Sequence, residues 1–206
     1  MKVVAFIGSA RKDGNTKALV RHVFEELEAE GVECELIELA GKRCHGCTAC
    51  MKCAETPDGS CSGIRDFISE ECIPRAQAAD GIIIASPVYF ADVTAETKAL
   101  IDRLGYASGQ GGNNRLARKV GAGVIAVRRA GAIHALDTIN HLFLIREMLI
   151  VGSSYWNIGI GRTPGEVQHD EEGVRTMHTL GRNMAWALQR LATPDVPEEE
   201  DLPAYS

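Results

Sequence analysis

Val3, Val4, Ala5, Phe6 and Ile7 form an unbroken apolar run that Gly8 ends. The run is too short for a buried helix and lacks polar alternation, so it reads as a strand covered on both faces. From Asn15 the pattern turns helical, with Leu19, Val20, Val23, Phe24 and Leu27 at three- and four-residue steps as far as Glu30. Buried-type runs recur at Gly81–Ala85, Lys119–Val127 and Leu149–Tyr155. Helical segments are expected at Ile64–Ala79, interrupted near Pro74, and at Thr94–Leu104, Ile133–Met148 and Gly173–Leu191. Glu33–Leu39 alternates polar and apolar residues, as a strand near a sheet edge does. Alternating strands and helices predict a parallel sheet with helices on both faces, five strands in the order 2-1-3-4-5. A ligand then belongs beyond the carboxyl ends of the strands, where Ser9–Thr16, Pro87–Val93 and Arg128–Ala132 should converge. Gly105–Asn114 and Trp156–Glu172 read as loops.

Length and charge narrow the class. The chain has 206 residues and a net charge of −6, which argues against a nucleic-acid-binding surface. No apolar run is long enough to cross a membrane. The first strand follows Met1 directly, so no signal peptide and a cytoplasmic location are expected. Seven cysteines in such a setting read as reduced thiols or metal ligands. The expected organisation is one domain over 1–192, with a Cys-rich excursion at 41–63 and a mobile acidic tail at 193–206.

Two loops carry the ligand chemistry. The strand–loop–helix unit at Lys2–Thr16 gathers free backbone N–H groups at the positive end of a helix dipole, which suits a phosphate. Ser9, Asn15 and Thr16 offer side-chain donors, and Arg11 or Lys12 offers charge. An ordinary first α/β unit, with Asn15 or Thr16 as a plain helix cap, has the same outline. The loop is neither GxGxxG nor GxxxxGK[ST], which leaves a monophosphate as the better fit. In the second loop Pro87 stiffens the exit of the third strand, and Tyr89 and Phe90 stand beside the expected ligand.

Together, GSARKDGNT after the first strand and SPVYF…TAETKALIDR after the third resemble the flavodoxin-like NAD(P)H-dependent FMN reductase family, over about residues 1–160. The resemblance implies a flavodoxin-like three-layer sandwich that binds FMN. By that likeness Ser9, Arg11, Asn15 and Thr16 would hold the phosphate, and Pro87, Val88, Tyr89 and Phe90 would line the isoalloxazine ring. Arg128, in the usually Gly-rich loop after the fourth strand, would face the flavin, a nicotinamide phosphate or solvent. It also implies a homodimer or homotetramer, in which the Gly105–Asn114 loop would complete a neighbour's site.

Cys44, Cys47, Cys50 and Cys53 stand at three-residue steps, and Cys61 follows. Cys34 and Cys72 read as core residues, and His45 as a solvated one. The run is similar to the compact motif of the iron–sulfur flavoproteins, C-x2-C-x2-C-x(4–7)-C. Cys47, Cys50, Cys53 and Cys61 match it with a last gap of seven residues. A second register, with Cys44 in place of Cys53, leaves a gap of ten. A [4Fe–4S] cluster, a zinc site, redox-active thiols and plain surface cysteines all stay open at this point.

No triad or dyad stands out, so no catalytic side chain is assigned. The expected activity is an FMN-dependent oxidoreductase or electron-transfer flavoprotein. It would take electrons from NAD(P)H or a ferredoxin-type donor and pass them to a quinone, a flavin, a metal ion or an O2-type oxidant. The rival is a non-catalytic electron carrier or redox-sensing flavoprotein.

Overall fold

The chain is described by a computed structural model over residues 1–112 and 114–192; the acidic segment 193–206 lies outside the described residues. Strands β1 (Lys2–Ile7), β2 (Glu33–Glu38), β3 (Gly81–Pro87), β4 (Val120–Val127), β5 (Leu149–Ile150) and β6 (Ile158–Ile160) form one parallel sheet. Its order is β2-β1-β3-β4-β5, with β6 also on β4. The expected flavodoxin-like order is therefore present.

The side-chain period of two sends alternate residues of each central strand to opposite faces. Val3, Ala5 and Ile7 join Ile83 and Ala85 under α1 (Asn15–Ala29) and α5 (Glu171–Leu191). Val4, Phe6, Ile82 and Ile84 face α2 (Ile73–Ala78), α3 (Ala95–Ser108) and α4 (Ala132–Ile145). Both faces are covered, which is why these strands read as continuous apolar runs. No helix among the described residues is long and apolar enough to cross a membrane.

Several expectations change. Leu149–Tyr155 is not a buried strand: β5 stops at Ile150, and both of its residues are exposed at the sheet edge. The chain leaves the sheet and returns as β6, so two short segments share the fifth position, one at each end of β4. The presumed loop Trp156–Glu172 thus holds a strand and a 3-10 turn at Glu166–His169.

The third helix continues through Gly105 to Ser108. A Cβ on Gly105 would come within 2.6 Å of Leu142 Cδ1, so this glycine lets α3 and α4 approach rather than ending a helix. Nor is the following loop idle. Arg115 donates to the Pro57 carbonyl, and Gly111 packs on Thr56 and Pro57, bracing the Cys-rich excursion.

The segment from Ile64 is helical only from Ile68, where Asp66 Oδ1 accepts the backbone N–H groups of Ile68 and Ser69. Its first turn, Ile68–Cys72, is a π-turn closed by the Ile73 N–H on the Ile68 carbonyl. Pro74 then follows with no N–H to give, at the start of α2.

Candidate functional site

The three loops after β1, β3 and β4 meet in a cleft of about 270 Å³ at the carboxyl end of the sheet. One wall is Ser9, Arg11, Asn15 and Thr16, and the other is Pro87, Val88 and Tyr89, with Arg128 between them. Helix α1 opens on Gly14, with no side-chain cap and no acid in its first turn. Its first intrahelical bond runs from the Ala18 N–H to the Gly14 carbonyl. The N–H groups ahead of it are free for an anion. Ser9 Oγ accepts the Arg11 N–H at 3.2 Å and shapes the loop. Asn15 and Thr16 are buried, and Asn15 Oδ1 accepts the Val167 N–H at 3.4 Å. Asn15 is thus an anchor to the Glu166–His169 turn, not the cap of α1.

Arg11 Nη1 donates to the Arg162 carbonyl at 2.9 Å, bringing a second arginine to the α1 end of the cleft. Arg162 and Gly161 line the cleft although nothing local in the sequence marks them. They arrive because β6 pairs with the end of β4 and delivers the next loop there.

The second loop is a tight turn. Tyr89 and Asp92 exchange backbone hydrogen bonds of 2.9 and 3.2 Å. Phe90 and Ala91 between them have φ of 47° and 67°, the geometry of a type I′ turn made without glycine. Left-handed backbone at two such residues is strained, and it persists because the surroundings fix it. Thr94 caps α3, accepting the Thr97 N–H, and donates its hydroxyl to the Gly8 carbonyl at 2.9 Å. Its own N–H reaches Ser86 Oγ at 3.0 Å, so one threonine ties both loops together. Gly131, at φ 88°, lets the loop after β4 close on Val88 and Ala91. Phe90 is not brought into the cleft: its side chain projects from the turn, fully exposed.

The Cys-rich excursion packs on α3. Cys47 and Cys50 are exposed, Cys44 and Cys61 are half-buried and Cys53 is buried. N–H donors meet several sulfurs. Ala49 donates to Cys47 Sγ at 3.4 Å, and Arg103 Nε and Nη2 each donate to Cys61 Sγ at 3.4 Å. The Lys52 N–H holds the Cys50 thiol below its ordinary value. Ala49 and Met51, on either side of Cys50, are both left-handed, at φ 52° and 61°. A Cβ on Gly63 would overlap Cys50 Sγ, so that glycine leaves room for the sulfur. Burial raises the Cys53 thiol, and the like charges of Cys61, Cys50 and Cys47 add to the rise. Burial likewise pushes Cys44 to about 11, with Asp66 and Glu96 as its charged neighbours, and Cys72 to about 12, with Cys44 beside it. Cys44 packs, partly buried, against the core cluster that contains Cys72.

A model of the NADPH-dependent FMN reductase family matches residues 1–163. This chain belongs to that family. An iron-sulfur flavoprotein of Methanocaldococcus jannaschii is 36% identical over 197 residues, covering 90% of this chain and 96% of its own. One from Archaeoglobus fulgidus is 35% identical over 197 residues, with 92% of each chain covered. An NAD(P)H:quinone oxidoreductase from Methanothermobacter marburgensis has a TM-score of 0.68 at 17% identity, over 89% of this chain and 96% of that one. At that identity it shows the common fold alone. Membership of the FMN reductase family carries an FMN-dependent oxidoreductase or electron-transfer role.

The sequence pattern left Arg103 and Asp66 unassigned. Arg103 stands on the apolar face of α3 with Leu100, Leu104 and Ala107. A charge at such a position, where periodicity predicts core, was the available signal. His45, expected in solvent, gives its N–H to Asp66 Oδ2 at 2.8 Å, and its ring stays half exposed.

Proposed function

We propose that the chain binds FMN in the cleft and passes electrons from NAD(P)H or a ferredoxin-type donor to a small acceptor: a quinone, a flavin, a metal ion or an O2-type oxidant. The observation that carries this is the uncapped start of α1 facing Arg11 and Arg162. It gives a dianionic phosphate both dipole and charge. FMN held there would supply hydride and single-electron chemistry to the cleft. The chain's own residues bind and orient. The first loop takes the phosphate, Pro87, Val88 and Tyr89 shape the ring side, and the Thr94 bridge fixes the distance between the two.

Cys47, Cys50, Cys53 and Cys61 would hold a [4Fe–4S] cluster, which supplies single-electron transfer. Support comes from the like-charge effect of Cys61, Cys50 and Cys47 on Cys53 and from the N–H donors at the Cys47 and Cys61 sulfurs, which stabilise thiolate ligands. The iron-sulfur flavoprotein name of the relatives points the same way. The exposure of Cys47 and Cys50 also favours a rival reading as an electron carrier or redox sensor. Steady NAD(P)H turnover separates it from the enzyme.

A homodimer or homotetramer is the assembly this reading carries. Its support is the run of exposed apolar residues Leu144, Ile145, Leu149 and Ile150. The test of the site is a flavin-fluorescence titration with FMN and with riboflavin. Replacing Asn15 and Thr16 by leucine should weaken FMN strongly and riboflavin little. Equal FMN affinity in the variant and the parent would sink the phosphate assignment.

A further inference from the structure

We propose that His22, Glu25 and His178 form a divalent-metal site of the zinc class that bridges α1 and α5, away from the flavin cleft and the cysteines. His22 and Glu25 lie three residues apart on α1, and His178 faces them from α5. One ligand atom of each lies within 4.8 Å of the other two. His22 Nδ1 is 3.3 Å from Glu25 Oε2, and His178 Nε2 is 3.9 Å from the same oxygen.

The outer contacts decide what these atoms are. His22 Nε2 lies 2.8 Å from Gln168 Oε1, and His178 Nδ1 lies 2.8 Å from Glu26 Oε1. Both oxygens accept, so a neutral ring that donates its N–H to the outer oxygen leaves its inner nitrogen, His22 Nδ1 or His178 Nε2, as a metal ligand. In that tautomer the two inner nitrogens and the Glu25 carboxylate converge on one point that a cation can share. Metal-bound histidines have this arrangement, with the second ring N–H held by a carboxylate or carbonyl that fixes tautomer and orientation.

The geometry fits a tetrahedral ion. Metal–ligand distances of about 2.0–2.2 Å put tetrahedral ligand atoms roughly 3.3–3.5 Å apart. The His22–Glu25 distance is already there, while the 3.9 Å from His178 Nε2 to Glu25 and the separation of the two histidine nitrogens, within 4.8 Å, would shorten by side-chain rotation on metal binding. Two imidazoles and one carboxylate suit zinc, cobalt or nickel over calcium or magnesium. Glu25 is exposed, so a fourth ligand could come from water on that side. Arg182 Nη1, 3.1 Å from Glu26 Oε1, balances the outer carboxylate. Because α1 begins at the phosphate loop and α5 closes the same face of the sheet, a bound ion fastens the cleft's leading helix to the last helix. It stabilises the folded chain by mass action.

The experiment uses the full chain loaded with FMN and titrates Co2+ and Zn2+ alone against the parent, His178→Gln and Glu26→Ala. The cysteine loop is intact in all three, so any metal it takes is common to them. The parent should show a Co2+ site with visible bands lacking sulfur charge transfer, and a Zn2+-dependent rise in Tm. His178→Gln should lose both, while flavin content stays unchanged. Glu26→Ala, which removes only the outer partner, should weaken the site about 10–100-fold. A parent whose only Co2+ signal is sulfur charge transfer overturns the proposal. So does a parent whose stoichiometry and Tm response match those of His178→Gln. Protonated histidines paired with Glu25 and Glu26, with no metal uptake at pH 7.5, give that second result.

Discussion

Arg103 Nη1 pairs with both carboxylate oxygens of Asp66, at 2.6 and 2.7 Å, and neither side chain is exposed at all. Burial works against both charges. For Asp66 the Arg103 guanidinium, with the backbone N–H groups of His45 and Ser69, outweighs it and holds the carboxyl below its ordinary value. The same guanidinium meets the Cys61 sulfur, so one buried pair connects α3, the first turn before α2 and the cysteine excursion. Breaking such a pair from one side leaves an uncompensated buried charge. Arg103→Leu should therefore cost about 3–5 kcal/mol. The urea midpoint measures it, and a loss below 1 kcal/mol would contradict this account.

The same pair sets an acid sensitivity. A carboxyl whose folded value is lowered stabilises the protein fully above its unfolded value, near pH 4. That contribution disappears as the pH falls through the lowered folded value. Stability measured from pH 6 downward should fall in this window in the parent. The fall should be smaller in Asp66→Asn, which has no carboxyl to protonate.

Thr94→Val keeps the shape but removes the hydroxyl that caps α3 and holds Gly8. A lost cap costs about 1 kcal/mol, within a usual range of about 0.5–2 kcal/mol. The tie between the loops should also go, so FMN and riboflavin should both bind less tightly. Thermal unfolding and flavin titration test the two parts separately.

Arg162→Ala should weaken FMN about tenfold to a hundredfold, the scale of a lost charge-assisted hydrogen bond. Riboflavin, lacking phosphate, should be little affected. The difference between the two flavins should shrink with added salt, since the arginine is on the surface. Equal losses for both would assign Arg162 to the ring instead.

Cys50 is common to both cysteine registers, so Cys50→Ala should abolish iron binding while FMN stays bound. Gly63→Ala should act in the same direction by crowding the Cys50 sulfur. Cys53→Ala should lose iron and Cys44→Ala retain it if Cys47, Cys50, Cys53 and Cys61 are the ligands. Iron and acid-labile sulfide assays after anaerobic reconstitution decide between the registers. Parent protein with FMN but neither iron nor sulfide would remove the cluster.

Thiol labelling of the iron-free protein at pH 8 should spare Cys34 and Cys72, both pushed by burial to about 12. The exposed Cys47 and Cys50 should react. Peptide mapping of the modified protein checks the order.

The sequence by itself determined the layered fold, because apolar runs of strand length alternate along the chain with segments of helical period. It also marked the β1 and β3 exits, since a Ser/Thr/Asn-rich loop at a helix start and a Pro-stiffened turn are local devices. It could not show that Leu149–Ile150 lies at an open edge. A short apolar run looks the same whether a neighbour covers it or not. It could not bring Arg162 to Arg11, 151 residues away, because that contact exists only through the pairing of β6 with β4. Nor could it show that Gly105 lies inside a helix, where its missing side chain makes room for Leu142. Local chemistry is written along the chain. The partners of Arg103, His178 and Cys61 were decided by tertiary structure, since burial and hydrogen bonding depend on what the fold sets opposite each side chain.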